Sequence, residues 1–194
     1  AMSPVESSGL PGGEAIWGDY DNDQRPDLFF FTGAGGLYRN MGEGKFEQVD
    51  FPELPTVNSR GAVWGDFNQD GRLDLFVGGY EVWEQRVHPD VIFLNQPDGS
   101  FKEVWRSPEG ACYSARGVAA ADLNEDGKID VYVSNYRLQP NHLWLNQGEG
   151  KFEESAESYQ AAGIGDGGTI NYTGGIQYRC LLYTSDAADD TTGV

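Results

Sequence analysis

The chain has 194 residues, 39% of them apolar and 13% aromatic, with 31 acidic against 13 basic side chains and a net charge of −18. That length suits one ordinary domain or a piece of a larger one, and the apolar content argues against wholesale disorder despite a mean hydropathy of −0.52. So negative a surface repels phosphate backbones and argues against a nucleic-acid partner, and no apolar run approaches the roughly 18 residues that would suggest a transmembrane segment.

Residues 1–11 read as an extension; Ala1–Leu10 has neither the basic start nor the apolar stretch of a signal peptide. A first repeat, over 12–57, carries Trp17-Gly-Asp-Tyr-Asp-Asn-Asp-Gln-Arg-Pro-Asp-Leu-Phe-Phe30 and then Leu37-Tyr-Arg-Asn-Met-Gly-Glu-Gly-Lys-Phe46. A second, over 58–110, carries Trp64-Gly-Asp-Phe-Asn-Gln-Asp-Gly-Arg-Leu-Asp-Leu-Phe-Val77 and then Phe93-Leu-Asn-Gln-Pro-Asp-Gly-Ser-Phe101. A third, over 111–160, carries Ala120-Ala-Asp-Leu-Asn-Glu-Asp-Gly-Lys-Ile-Asp-Val-Tyr-Val133 and then Leu143-Trp-Leu-Asn-Gln-Gly-Glu-Gly-Lys-Phe152. Residues 161–178 read as the start of a fourth. The first acidic residues of the motif, Asp19, Asp66 and Asp122, are 47 and 56 residues apart, a spacing in the range of propeller blades.

Each repeat predicts about four strands. Leu28–Phe31, Leu75–Val77 and Val131–Val133 are β-prone apolar runs without polar alternation, so both of their faces should be buried. The second block of each repeat reads as a hairpin, turning at Gly42-Glu-Gly44, Pro97-Asp-Gly99 and Gly148-Glu-Gly150. The expected fold is therefore all-β: a partial β-propeller of about three four-stranded blades. Segments Tyr80–Pro89 and Asn135–Asn141 differ between repeats and are expected to be loops at one rim, where ligand specificity would sit.

Between the first two strands of each repeat lies a nine-residue loop with oxygen side chains at positions 1, 3, 5 and 9. They are Asp19, Asp21, Asp23 and Asp27; Asp66, Asn68, Asp70 and Asp74; and Asp122, Asn124, Asp126 and Asp130. The backbone carbonyl at position 7 (Arg25, Arg72 or Lys128) can add a further ligand. Hard oxygen donors in this number predict Ca²⁺, up to three ions in all, each tying two strands together. Crowded carboxylates also demand a counter-charge: a pair about 4 Å apart repels by roughly 4 kcal/mol at an effective dielectric near 20. Position 6 is Gly71 and Gly127 in two loops, but Gln24 in the first. An EF-hand is excluded, because position 12 holds Phe30, Val77 and Val133 rather than a bidentate glutamate.

The pattern Trp-Gly-Asp-x-(Asp/Asn)-x-Asp-Gly-x-x-Asp-Leu-Phe, followed by Leu-x-Asn-x-Gly-x-Gly-x-Phe, resembles the FG-GAP/VCBS repeat that also builds integrin α-chain propellers. It is most similar to the cartilage-acidic-protein-like group, whose members often carry an ASPIC/UnbV domain after the propeller. The resemblance covers about residues 12–178. It implies a secreted, cell-surface or periplasmic calcium-binding propeller, commonly of seven blades, of which this chain would be a fragment.

Two functional classes remain open at this stage. One is a non-catalytic recognition, adhesion or scaffold module with a protein or carbohydrate ligand at the propeller rim. The other is part of a propeller enzyme acting on extracellular polysaccharide, for which Arg116, Tyr136, Arg137 and His142 are the available cluster. His88 and His142 read as ordinary loop residues, and Trp17 and Trp64 as packing between blades. Cys112 and Cys180 form no Cys-x-x-Cys, which argues against a thiolate zinc site.

From about Arg179 the composition breaks, and no fourth acidic loop arrives. The string Cys180-Leu-Leu-Tyr-Thr-Ser-Asp-Ala-Ala-Asp189 resembles a translated transposase-type sequencing adapter. Residues 179–194 are expected to be a non-native tail, leaving Cys112 without a partner and Asp186, Asp189 and Asp190 outside any metal site.

Overall fold

The structure, a computed structural model, describes residues 10–163 apart from 34, 55–58, 83–85 and 137–138. The adapter-like tail and all but 161–163 of the start of the fourth repeat lie outside the described residues. Three four-stranded antiparallel sheets follow one another. Blade 1 is β1 (Ala15–Gly18), β2 (Asp27–Phe30), β3 (Gly36–Gly42) and β4 (Lys45–Val49). Blade 2 starts with β5 (Ala62–Gly65) and β6 (Asp74–Val77), passes through a two-stranded ribbon of β7 (Glu81–Val82) and β8 (Arg86–Val87), and ends with β9 (Val91–Asn95) and β10 (Phe101–Arg106). Blade 3 is β11 (Ala115–Ala121), β12 (Asp130–Asn135), β13 (His142–Gly148) and β14 (Lys151–Glu154). The fold is that of a partial β-propeller. The segment expected to be a plain loop at Tyr80–Pro89 contains the β7–β8 ribbon, whose strands pair Glu81 with Val87 and Val82 with Arg86.

The second strand of each blade is buried from end to end because successive side chains serve two interfaces. In blade 2, Leu75, Val77, Val91 and Phe93 join Phe29 and Leu37 of blade 1 in one cluster. Phe76 and Ile92 point the other way and join Val131, Val133 and Trp144 of blade 3. That is why these strands read as continuous apolar runs rather than alternating ones.

The motif glycine before the first acidic residue has a packing reason. A Cβ on Gly18 would lie 2.5 Å from Nε1 of Trp64, so the indole of blade 2 rests directly on the backbone of blade 1. Trp64 also packs edge-on to Phe29 with ring centroids 6.1 Å apart. Trp17, at the same place in blade 1, is 61% exposed and packs only against Phe46 of its own blade. Among the described residues, Trp64 packs between blades and Trp17 does not.

The antiparallel order defines two rims. The acidic loops and the β3–β4, β9–β10 and β13–β14 turns lie at one. The variable β2–β3, β6–β9 and β12–β13 connections lie at the other.

Candidate metal centre

All three loops close by the same internal hydrogen bonds. At position 1, Asp19 accepts the backbone N–H groups of Asp23 (2.9 Å) and Gln24 (2.8 Å). Asp66 does the same for Asp70 and Gly71, and Asp122 for Asp126 and Gly127. The sixth residue is left-handed throughout, with φ of +82° at Gly71, +84° at Gly127 and +68° at Gln24. The first loop therefore keeps the shared geometry with a non-glycine residue in a conformation that disfavours a Cβ.

Position 9 anchors the loop to the sheet. Asp74 is fully buried; Oδ2 accepts the N–H of Phe67 (2.9 Å) and Oδ1 that of Asn95 (2.8 Å) on β9. Asp27 does this with Tyr20 and Asn40, and Asp130 with Leu123 and Asn146. Burial pushes the Asp74 carboxyl up to about 6, against the lowering effect of its two backbone donors, and raises Asp27 in the same direction. An acid raised in the folded state favours folding below its unfolded value near 3.8 and loses that contribution as pH rises through about 6. In chelator, the urea midpoint is thus expected to be higher at pH 5 than at pH 7; a lower midpoint at pH 5 would contradict this.

At position 5 the carboxylates turn toward built-in cations. Asp23 pairs with Arg25, Asp70 with Arg72, and Asp126 with Lys128 at 2.6 Å. The side chains at position 7 thus take part in each loop. Arg25 and Arg72 also donate from Nε to the carbonyls of Asn40 and Asn95, both at 2.9 Å.

Among the described residues, Asp19, Asp21 and Asp27 each bring one oxygen within 4.8 Å of the other two. A cation with ligands at about 2.4 Å would bridge that span. Asp23, expected as a fourth ligand, is paired with Arg25 and Arg39. In the other two loops position 3 is an amide, Asn68 or Asn124, and the position-5 carboxylates Asp70 and Asp126 pair with Arg72 and Lys128 as Asp23 does with Arg25. These hard oxygen donors fit Ca²⁺ or Mg²⁺ chemistry and do not suit a soft metal.

The hairpin asparagine, unrecognised in the sequence, stitches blades together. Asn95 Nδ2 donates to the carbonyl of Tyr20 in the loop of blade 1 (2.7 Å), and Asn146 Nδ2 to that of Phe67 in the loop of blade 2 (2.8 Å). The aromatic side chains of the same loop residues pack across the seam, Tyr20 on Phe101 and Phe67 on Phe152. Asn40 and Asn146 accept at Oδ1 from Gly42 and Gly148, whereas Asn95 Oδ1 has no partner because Pro97 offers no N–H.

His142 is not the loop residue expected from the sequence. It opens β13, is 3% exposed, and lies between the rings of Tyr113 and Trp144, each 4.7 Å away. Its Nδ1 is 3.7 Å from Oδ2 of Asp90, which also accepts from Trp144 Nε1 at 3.0 Å, while Asp90 Oδ1 accepts from Gly79 N at 2.8 Å. This group closes the seam between blades 2 and 3. Arg116 stacks on Tyr136 at 3.9 Å, away from that buried position; Arg137 lies outside the described residues. Cys112 is free. At the variable rim, a groove of about 480 Å³ is lined by Phe31, Gly36, Gln48, Phe51 and Leu54.

These sheets and acidic loops define a propeller repeat with an acidic loop between its first two strands. The profile of the FG-GAP-like repeat matches residues 12–77, 82–133 and 122–174, and the chain belongs to that family. Cartilage acidic protein 1 of Xenopus tropicalis is 37% identical over 59 residues, covering 29% of this chain and 9% of that protein. A solved structure of an Agrocybe aegerita lectin, described for its recognition of non-reducing terminal N-acetylglucosamine, aligns with a TM-score of 0.45 and 20% identity over 72% of this chain and 37% of the lectin chain. Among the described residues no helix is long and apolar enough to cross a membrane.

Proposed function

We propose that this chain is a calcium-stabilised propeller module acting outside the cytoplasm, in recognition, adhesion or scaffolding rather than in catalysis. The observation that carries the reading is the threefold acidic loop, whose clearest instance gathers Asp19, Asp21 and Asp27 around one point. Bound calcium would lock β1 to β2, β5 to β6 and β11 to β12 by neutralising the carboxylates that close each loop. The variable rim, with its groove beside Phe51 and Leu54, is the place for a protein or carbohydrate ligand. Non-catalytic use is supported by the Asp90–His142 pair, which is sealed in the blade seam and occupied by backbone and indole donors.

Extracellular calcium modules bind with dissociation constants on the order of 10⁻⁴–10⁻³ M. At about 10 mM calcium each site would add roughly 1.4–2.7 kcal/mol to folding, so the melting midpoint should rise by at least about 4 °C over the value in chelator. Asp70→Ala and Asp126→Ala should each lose about one bound ion in native mass spectrometry. An unchanged midpoint together with no bound calcium would refute the reading.

A further inference from the structure

Blade 1 differs from the other two blades at two positions that meet in space. Position 3 of its loop is Asp21, where the others have Asn68 and Asn124; and on β3 the residue before the hairpin asparagine is Arg39, where the others have Leu94 and Leu145. In loop 2 the amide does a specific job: Asn68 Nδ2 donates to Asp70 Oδ2 at 2.7 Å, linking positions 3 and 5. In loop 3 Asn124 Oδ1 accepts the backbone N–H of Asp126 at 3.0 Å, and Asp126 Oδ2 accepts from Lys128 Nζ at 2.6 Å. An aspartate at position 3 has no amide donor, and two bare carboxylates would face each other.

Arg39 fills the gap. Its Nε lies 2.7 Å from Asp21 Oδ2 and its Nη2 lies 3.4 Å from Asp23 Oδ2, so one guanidinium spans positions 3 and 5. Asp21 Oδ2 and Arg39 Nε are buried atoms with no hydrogen-bond partner elsewhere. The Asp21 side chain is 18% exposed and that of Arg39 41%, so the carboxylate is the more sheltered partner. At positions 1, 3, 5 and 9, loop 1 has four carboxylates against Arg25 and Arg39, while loops 2 and 3 have three each against Arg72 or Lys128; loop 3 carries a further carboxylate, Glu125, at position 4.

We propose that Arg39 takes over in blade 1 the bridging role that the amide plays in loop 2, so that Asp21–Arg39 is a coupled substitute for the Asn–Leu pair of the other blades and offsets the extra carboxylate at position 3 of the first cation site. Only the effect on the cation rests on the calcium reading. The test compares wild type, Arg39→Leu and Asp21→Asn/Arg39→Leu; the double variant copies what the other two blades carry. In chelator, Arg39→Leu should lower the melting midpoint by several degrees, and the double variant should recover most of that loss. In calcium titrations, Arg39→Leu should tighten the site that Asp19→Ala removes by at least about tenfold, since one more negative charge faces the ion, and the double variant should return it to the wild-type value. If Arg39→Leu does not fold, folding of the double variant is the expected coupling. The proposal is overturned if Arg39→Leu melts like wild type in chelator, or if the double variant is no better than the single one. Calcium without effect on any of the proteins would overturn the calcium reading instead, and the chelator melts would still decide the pair.

Discussion

Asp74→Ala is expected to destabilise the chain by at least about 2 kcal/mol, and to do so in chelator as well as in calcium. The side chain is fully buried and accepts the N–H groups of Phe67 and Asn95. Alanine strands both donors, at roughly 1–3 kcal/mol each, with part of that offset because a carboxylate raised to about 6 no longer has to be buried charged. Against a typical total stability of about 5–15 kcal/mol, that loss is large. Asp74→Asn should be no rescue, since one of its two terminal atoms becomes a donor facing a backbone N–H. Urea denaturation in chelator is the measurement. A loss seen only in calcium would make position 9 a metal ligand and nothing more.

The second large effect should separate two asparagines that the sequence cannot tell apart. Asn146 donates to the carbonyls of Phe67 and Ile129 at 2.8 and 3.1 Å and accepts from Gly148 at 2.9 Å, all from a fully buried position. Asn40, in the same motif, donates to Pro26 and accepts from Gly42 within its own blade. Asn146→Ala should cost about 2–4 kcal/mol and loosen blade 3 from blade 2, while Asn40→Ala should stay within about 1 kcal/mol. Hydrogen exchange at Phe67 and Val131 would report the seam directly. Equal costs for the two variants would rule out the inter-blade bond as the reason for the motif asparagine.

The role of Asp90 shows why part of this architecture is invisible in the chain's text. It sits outside every repeated motif, directly after the β7–β8 ribbon, with nothing in its neighbours to mark it. Only folding brings it to Trp144 and His142, 54 and 52 positions away. The same holds for Arg39, whose partner Asp21 is 18 positions earlier on another element. Both are charge-pairing events across elements, and no local period announces them.

The sequence by itself determined the all-β repeat, the four strands per blade, the acidic loops and the hairpin turns. These are local matters: runs of β-prone residues, turn residues at fixed offsets, and short oxygen side chains at alternate positions repeated in register. Tertiary structure alone decided which of those residues do what. It set the Trp64 indole on the backbone of Gly18 in blade 1 and left Trp17 61% exposed against Phe46. It brought Asp19, Asp21 and Asp27 around one point and placed Asp23 against Arg25 and Arg39. It buried His142 in a seam, because a residue beside a variable loop can still begin a strand that faces the neighbouring blade.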